Sequence, residues 1–223
     1  MARRPTPLED LDVFSRRRPK IFVVGFNKTG TKSLHFFFLA NGYRSVHGKQ
    51  KPWHGVIRQP FIAVTMEDNL AAGRPVLAGL ESYQAYSDLT HDTATRHIEA
   101  NAFFREFHAA APDAYFIFND RPVEHWLRSR CNHVSARSGS FLENQMRLNG
   151  LSREATLDMW RTLYTTRKAE ICDYFAGNPR FMIFNIEADP PQKLARFLAA
   201  DFSLDCDKWA HLGKARLPAK QAA

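Results

Sequence analysis

A glycine-bounded loop, Gly25-Phe26-Asn27-Lys28-Thr29-Gly30, separates an apolar run from a segment with helical spacing, and Thr31, Lys32 and Ser33 follow it directly. A loop of this layout binds anions. Successive backbone N–H groups in a tight turn, with the open amides and positive dipole of a helix start, form a ready site for phosphate. Gly25 and Gly30 let the backbone turn and approach the anion closely. The nucleoside triphosphatase pattern G-x-x-x-x-G-K-[ST] carries its lysine after the second glycine. Here Thr31 takes that place, and Lys28 stands two residues before Gly30. A lysine inside the loop points at the atoms that bridge the two terminal groups of a donor.

The segment Val23-Val24-Gly25-Phe26-Asn27-Lys28-Thr29-Gly30-Thr31-Lys32-Ser33-Leu34 resembles the donor-binding loop of the sulfotransferases, which use 3′-phosphoadenosine 5′-phosphosulfate (PAPS). The resemblance implies that the loop holds the 5′-phosphosulfate and that Lys28 steadies the leaving bridging oxygen. Thr29, Gly30, Thr31, Lys32 and Ser33 would then hold the 5′-phosphate. The family's second signature is an Arg at the end of a later strand with a Ser eight residues on, both on the donor's 3′-phosphate. Arg121 and Ser129 match it, with Trp126 between. A guanidinium fork and a hydroxyl converging on one phosphate is sound chemistry. The local turn departs from the family's Arg-Asp-Pro or Arg-Asn-Pro, since Asp120 precedes Arg121 and Pro122 follows it at once. Residues 181–199 resemble the family's late strand and helix. The tail Leu212-Gly213-Lys214-Ala215-Arg216 is similar to a basic glycine loop that closes over the nucleotide, which adds Lys214 and Arg216 to the donor ligands.

The family also supplies a base near the end of the strand preceding the Arg121 strand. The matching region is residues 85–91, so Asp88 is the first choice and His91 the second; His47, after the second strand, is the third. Sulfuryl transfer should resemble loose in-line phosphoryl transfer, where positioning and charge stabilisation do most of the catalysis. The SO₃ group carries less charge than a phosphoryl group, so a lysine and backbone donors suffice and no metal is expected. Lys28 would neutralise charge on the bridging oxygen, and the base would take the acceptor's proton. The acceptor is a hydroxyl or amine of a carbohydrate, lipid or small metabolite. The aromatic segments 83–86 and 52–54 are candidates to line its pocket.

The elements that must hold these residues are legible in outline. Residues 20–25, 114–118 and 181–186 read as buried strands, and 43–46 and 85–89 as weaker ones. Helical spacing covers 31–41, 67–72, 93–111, 154–175 and 192–199, with another helix opening at Pro122. Strands alternating with helices of this length indicate parallel βαβ units. The expected fold is an α/β three-layer sandwich of the P-loop nucleotide-binding type. One domain, residues 20–213, lies between a basic N-terminal segment, 1–19, and a basic tail, 214–223.

Composition narrows the function classes. In 223 residues, 31 Lys+Arg against 23 Asp+Glu give a net charge of +8, which asks for an anionic partner. A hydrophobic fraction of 44% with 24% charged residues excludes a disordered or fibrous chain. No apolar run approaches a membrane span. Three scattered cysteines, Cys131, Cys172 and Cys206, make no disulfide framework or zinc pair. The basic first twenty residues lack the apolar core of a secretion signal and carry Glu9, Asp10 and Asp12. A reducing, cytoplasmic location is expected. Two other readings compete. An ATP-dependent kinase would use Asp120 as a magnesium-holding carboxylate, but Thr31 and Lys32 stand where its lysine and hydroxyl belong. A nucleic-acid or polyanion module would need a basic stripe with interleaved aromatics, and none is present, so no specific nucleic acid is expected.

Overall fold

The computed structural model describes residues 18–50, 60–135 and 139–212. Its centre is a five-stranded sheet: β1 (Ile21–Val23), β2 (Ser45–His47), β3 (Ala85–Ser87), β6 (Tyr115–Asp120) and β9 (Phe181–Asn185), in the order β2-β3-β1-β6-β9. Every neighbouring pair is parallel. Between these strands the chain forms two short hairpins, β4 (Thr90–Asp92) with β5 (His97–Glu99) and β7 (Val134–Ser135) with β8 (Gly139–Ser140). After β1 the chain runs to the edge strand β2, returns to β3 between β2 and β1, then crosses to β6 and β9 on the other side. The ends of β1 and β6 therefore flank the switch point of the sheet, where open α/β sheets bind their ligands. The glycine loop leaves β1 there, and Arg121 leaves β6.

Alternation along the strands sorts the core into two faces. Ile21, Val23, Tyr115 and Ile117 pack with α1 (Thr31–Ala40) and later with α7 (Pro191–Leu198), through Leu34, Phe37, Phe38, Leu194 and Leu198. Phe22, Val24, Phe116 and Phe118 face the opposite layer of α2 (Ile62–Ala71), α3 (Phe104–Ala110), α4 (Val123–Cys131), α5 (Phe141–Asn149) and α6 (Arg153–Tyr174). Phe22 stacks on Tyr86, Phe107 and Phe116 at centroid distances of 5.0, 4.8 and 5.3 Å. The three-layer α/β sandwich is thus as expected. Among the described residues no helix is long and apolar enough to cross a membrane.

Two local expectations are corrected. Residues 93–111 are not one helix. Their first part belongs to the β4–β5 hairpin, closed by a turn in which the Thr93 amide and hydroxyl both bond the Arg96 carbonyl, at 2.9 and 3.1 Å. A 3₁₀ turn, Ala100–Phe103, then leads into the short α3. Ile98, Ala102 and Phe107 fit a helical period and a strand followed by a helix equally well, and the threonine turn decides between them. Tyr86, expected near the acceptor, lies in the core, with its hydroxyl on the Leu80 carbonyl at 2.8 Å. Residues 52–54 lie outside the described residues.

A buried ion pair fixes the β4–β5 hairpin. Arg130, fully buried on α4, bonds Glu99 on β5. Its guanidinium lies over the rings of Phe141, Trp126 and Trp160 at 4.4, 4.8 and 4.8 Å. Nε and Nη1 have no hydrogen-bond partner among the described residues, so the ring faces supply their compensation. Thr90 donates to the other Glu99 oxygen at 2.8 Å. Burial alone would raise the Glu99 carboxyl, but Arg130, His97 and Thr90 hold it down, to about 2. Because the folded value lies below the unfolded one, this stabilisation is complete above pH 4.5 and fades as pH falls through about 2. Glu99→Gln should cost about 3–5 kcal/mol at pH 7, by leaving a buried cation uncompensated. Urea unfolding should show the gap from wild type shrinking steadily below pH 4.5.

Candidate active site

The loop between β1 and α1 is held from the neighbouring strand by one side chain. Asn119, fully buried in β6, accepts the Gly25 amide at 2.8 Å. Its Nδ2 donates back to the Phe26 and Thr29 carbonyls at 3.4 and 3.3 Å and to the Thr29 hydroxyl. Gly25 is obligatory because a Cβ there would sit 2.3 Å from Asn119 Oδ1. Gly30 is obligatory twice over: its φ is +85°, and a Cβ would meet Ile186 at 2.3 Å. Gly30 is the N-cap of α1 and offers no side-chain bond, and the first amide returning to the helix is that of Leu34. The amides of Thr31, Lys32 and Ser33 thus face out of the helix start, where the dipole favours an anion.

Lys28 adopts φ 66°, a left-handed conformation rare for a residue with a side chain. Its Nζ lies 3.5 Å from His133 Nδ1. Burial pulls the ammonium below its ordinary value, Asp88 opposes this, and the nearby cations Arg121 and Lys32 add to it. Burial likewise lowers His133, with Lys28 reinforcing the effect, so both shifts disfavour charge on the imidazole. Asp88 carries the other left-handed non-glycine backbone among the described residues, φ 55°. Its Oδ2 is 3.6 Å from His47 Nδ1, whose ring meets the Thr31 hydroxyl through Nε2 at 3.2 Å. The ends of β1, β2 and β3 thereby bring Lys28, Thr31, His47 and Asp88 together. His91 is placed differently: in β4 it packs edge-on against Phe61 at 4.4 Å, with a buried Nδ1 that has no hydrogen-bond partner among the described residues and a pKa lowered by burial and Arg96.

The second anchor joins the first. Arg121 Nη1 donates to the Lys28 carbonyl at 3.1 Å, and its Nε donates to Glu187 Oε1 at 2.6 Å. The other oxygen of Glu187 accepts from His125 Nδ1 at 2.7 Å. Ser129, half-buried on α4, follows His125 by one helical turn and so shares its face. Trp126 fastens α4 to the loop through its indole N–H on the Asn27 carbonyl, at 2.9 Å. Asp120 turns away from this surface: Tyr164 donates to Oδ1 at 2.8 Å and Lys168 to Oδ2 at 2.7 Å. At the far end of the loop, the Leu212 amide donates to the Ser33 hydroxyl at 2.8 Å. Lys32 is exposed beside it. The chain thus reaches the start of α1 just before Lys214 and Arg216, which lie outside the described residues.

Asn119, His133 and Glu187 are the site residues that sequence reasoning passed over. Each is a single polar residue far from the motif it serves. Asn119 follows the strand read over 114–118 directly, and that adjacency was the available hint. The model of the family described as the sulfotransferase domain matches residues 20–198, which includes both anchors. The chain belongs to this family, whose domain carries out sulfuryl transfer. A search of curated proteins finds no match.

Asn119→Asp keeps an acceptor for the Gly25 amide but replaces the donor that serves Phe26 and Thr29 with a second acceptor. Thermal denaturation should show a loss of about 1–3 kcal/mol, the penalty for unpaired buried groups. An unchanged melting temperature would mean that the loop does not hang on this side chain.

Proposed function

We propose that the protein transfers the sulfuryl group of 3′-phosphoadenosine 5′-phosphosulfate to a hydroxyl or amine of a carbohydrate, lipid or small-metabolite acceptor. The observation that carries this reading is the bond from Arg121 to the Lys28 carbonyl. It makes one continuous anion-binding surface out of two separate anchors, with a cation set inside the loop rather than after it. The donor fits what is there. The uncapped start of α1 suits its 5′-phosphate. Arg121 already holds a carboxylate, and a 3′-phosphate could take the same place.

In the proposed reaction the acceptor oxygen or nitrogen attacks sulfur while the bond from sulfur to the bridging oxygen breaks. Asp88 receives the acceptor's proton, and 3′,5′-bisphosphoadenosine departs with the bonding electrons. Lys28 faces the charge that develops on the bridging oxygen. Thr29, Gly30, Thr31, Lys32 and Ser33 hold the 5′-phosphate, Arg121 and Ser129 the 3′-phosphate, and Lys214 and Arg216 close over the nucleotide. Asp88 is preferred to His91 and His47 because its charge acts on both Lys28 and His133. Its strained backbone is also typical of residues held for function. Residues 20–213 form the catalytic unit, and three free cysteines suit a reducing, cytoplasmic setting. The kinase reading loses its carboxylate, since Asp120 is engaged by Tyr164 and Lys168.

Radiolabelled PAPS with an acceptor panel tests the reaction, and thermal shift tests the donor. Stabilisation by magnesium-ATP with none by 3′,5′-bisphosphoadenosine would overturn the assignment. Lys28→Ala should lower kcat by about 10²–10³-fold, and Arg121→Ala should weaken donor binding by about tenfold or more. Wild-type turnover in the Lys28 variant would remove its role. Asp88→Asn should lower kcat by about 10²–10⁴-fold with donor affinity kept; parallel losses in both would make Asp88 a structural residue.

A further inference from the structure

The carboxylate of Glu187 bridges two donors on opposite sides, Arg121 Nε at 2.6 Å and His125 Nδ1 at 2.7 Å. Sulfuryl transfer as read above asks nothing of either Glu187 or His125. We infer that His125 is a third ligand for the donor's 3′-phosphate, and that Glu187 occupies the place of that phosphate until the donor arrives. The inference rests on the assignment of Arg121 and Ser129 to the 3′-phosphate and extends it.

Three features support it. The first is the chemistry of the cradle. A guanidinium N–H and an imidazole N–H that converge on two oxygens of one anion suit a phosphate at least as well as a carboxylate, because phosphate offers three oxygens and more charge. The second is alignment. His125 and Ser129 are one turn apart on α4, and Arg121 precedes that helix, so His125 stands between the two residues assigned to the 3′-phosphate in sequence and shares the Glu187 carboxylate with the first.

The third feature is exchangeability. The Glu187 side chain is 32% exposed, and its partners Arg121 and His125 are 26% and 47% exposed. Pairs this wet hold weakly. Glu187 sits in the turn after β9, where its amide bonds the Asn185 side chain at 2.9 Å. That bond fixes the backbone and leaves the carboxylate free to rotate away. Arg121 meanwhile keeps its grip on the Lys28 carbonyl, so the exchange of anions leaves the catalytic loop in place. Glu187 thus acts as an internal competitor that sets donor affinity.

Calorimetric titration of the full chain with 3′,5′-bisphosphoadenosine and with adenosine 5′-phosphate separates the possibilities, because only the first carries the 3′-phosphate. His125→Ala should weaken the bisphosphate by about tenfold, the worth of one hydrogen bond to a charged group, and leave the monophosphate unchanged. Glu187→Gln should tighten the bisphosphate several-fold and again leave the monophosphate unchanged. A neutral or weakening effect of Glu187→Gln overturns the competitor role. An equal effect of His125→Ala on both nucleotides, or none on either, overturns the ligand role. If Arg121→Ala still separates the two nucleotides while both surface variants are silent, this inference alone falls. If the wild type binds neither nucleotide, or Arg121→Ala weakens both alike, the 3′-phosphate assignment and the inference fall together.

Discussion

The contact between Asn119 and the loop after β1 is the constraint on which the site depends. One amide side chain at the end of β6 satisfies a donor at Gly25 and acceptors at Phe26 and Thr29. The register of β1 against β6, Ile21 with Tyr115 and Val23 with Ile117, sets where that amide falls. Two residues later the same strand delivers Arg121. The distance between the lysine of the loop and the arginine beyond the strand is therefore a property of one strand pair. It owes little to the loops themselves. Tyr164 from α6 secures the other side, accepting the Arg121 amide at 3.1 Å and donating to Asp120.

This arrangement explains what was readable in the sequence. The glycine loop was legible because glycine, lysine and threonine each answer a local demand there: a positive φ, a charge, a hydroxyl. The three strong strands were legible because strands buried on both faces read as continuous apolar runs. The β4–β5 hairpin was not, because Ile98, Ala102 and Phe107 satisfy two periods at once and only the Thr93 turn separates them. The helix α5, Phe141–Asn149, escaped for lack of a long apolar stripe, though Ser140 caps it through the Glu143 amide. His133 lies 105 positions from Lys28, and no local pattern announces a partner at that separation. Glu187 lies inside the stretch 181–199, which was read only as a strand and a helix.

A buried polar network joins β4, β5 and α5. Asp92, at the end of β4, accepts from Asn144 and Gln145 on α5, both at 2.8 Å. His97 stands between Asp92 and Glu99, at 3.1 and 3.3 Å. Burial would lower His97, but its bonds to the two carboxylates prevail and raise it. His97 and the buried Arg130 thus face the two carboxylates within one cluster. Asp92 and Arg130 both act electrostatically on His133, which neighbours Lys28, so this network is tied to the loop.

The last strand has a separate consequence. β9 stands at the edge of the sheet, and several of its outward backbone groups are engaged. The Phe181 amide bonds the Asn178 carbonyl at 3.1 Å, the Ile183 carbonyl accepts from Lys193 at 2.9 Å, and the Asn185 amide bonds Asp189 at 2.7 Å. An exposed apolar edge is a template on which a second chain can grow. Here a charged lysine and a charged aspartate, themselves paired at 2.7 Å, stand where the next strand would lay its backbone. A strand added along the second half of β9 would have to displace that pair first.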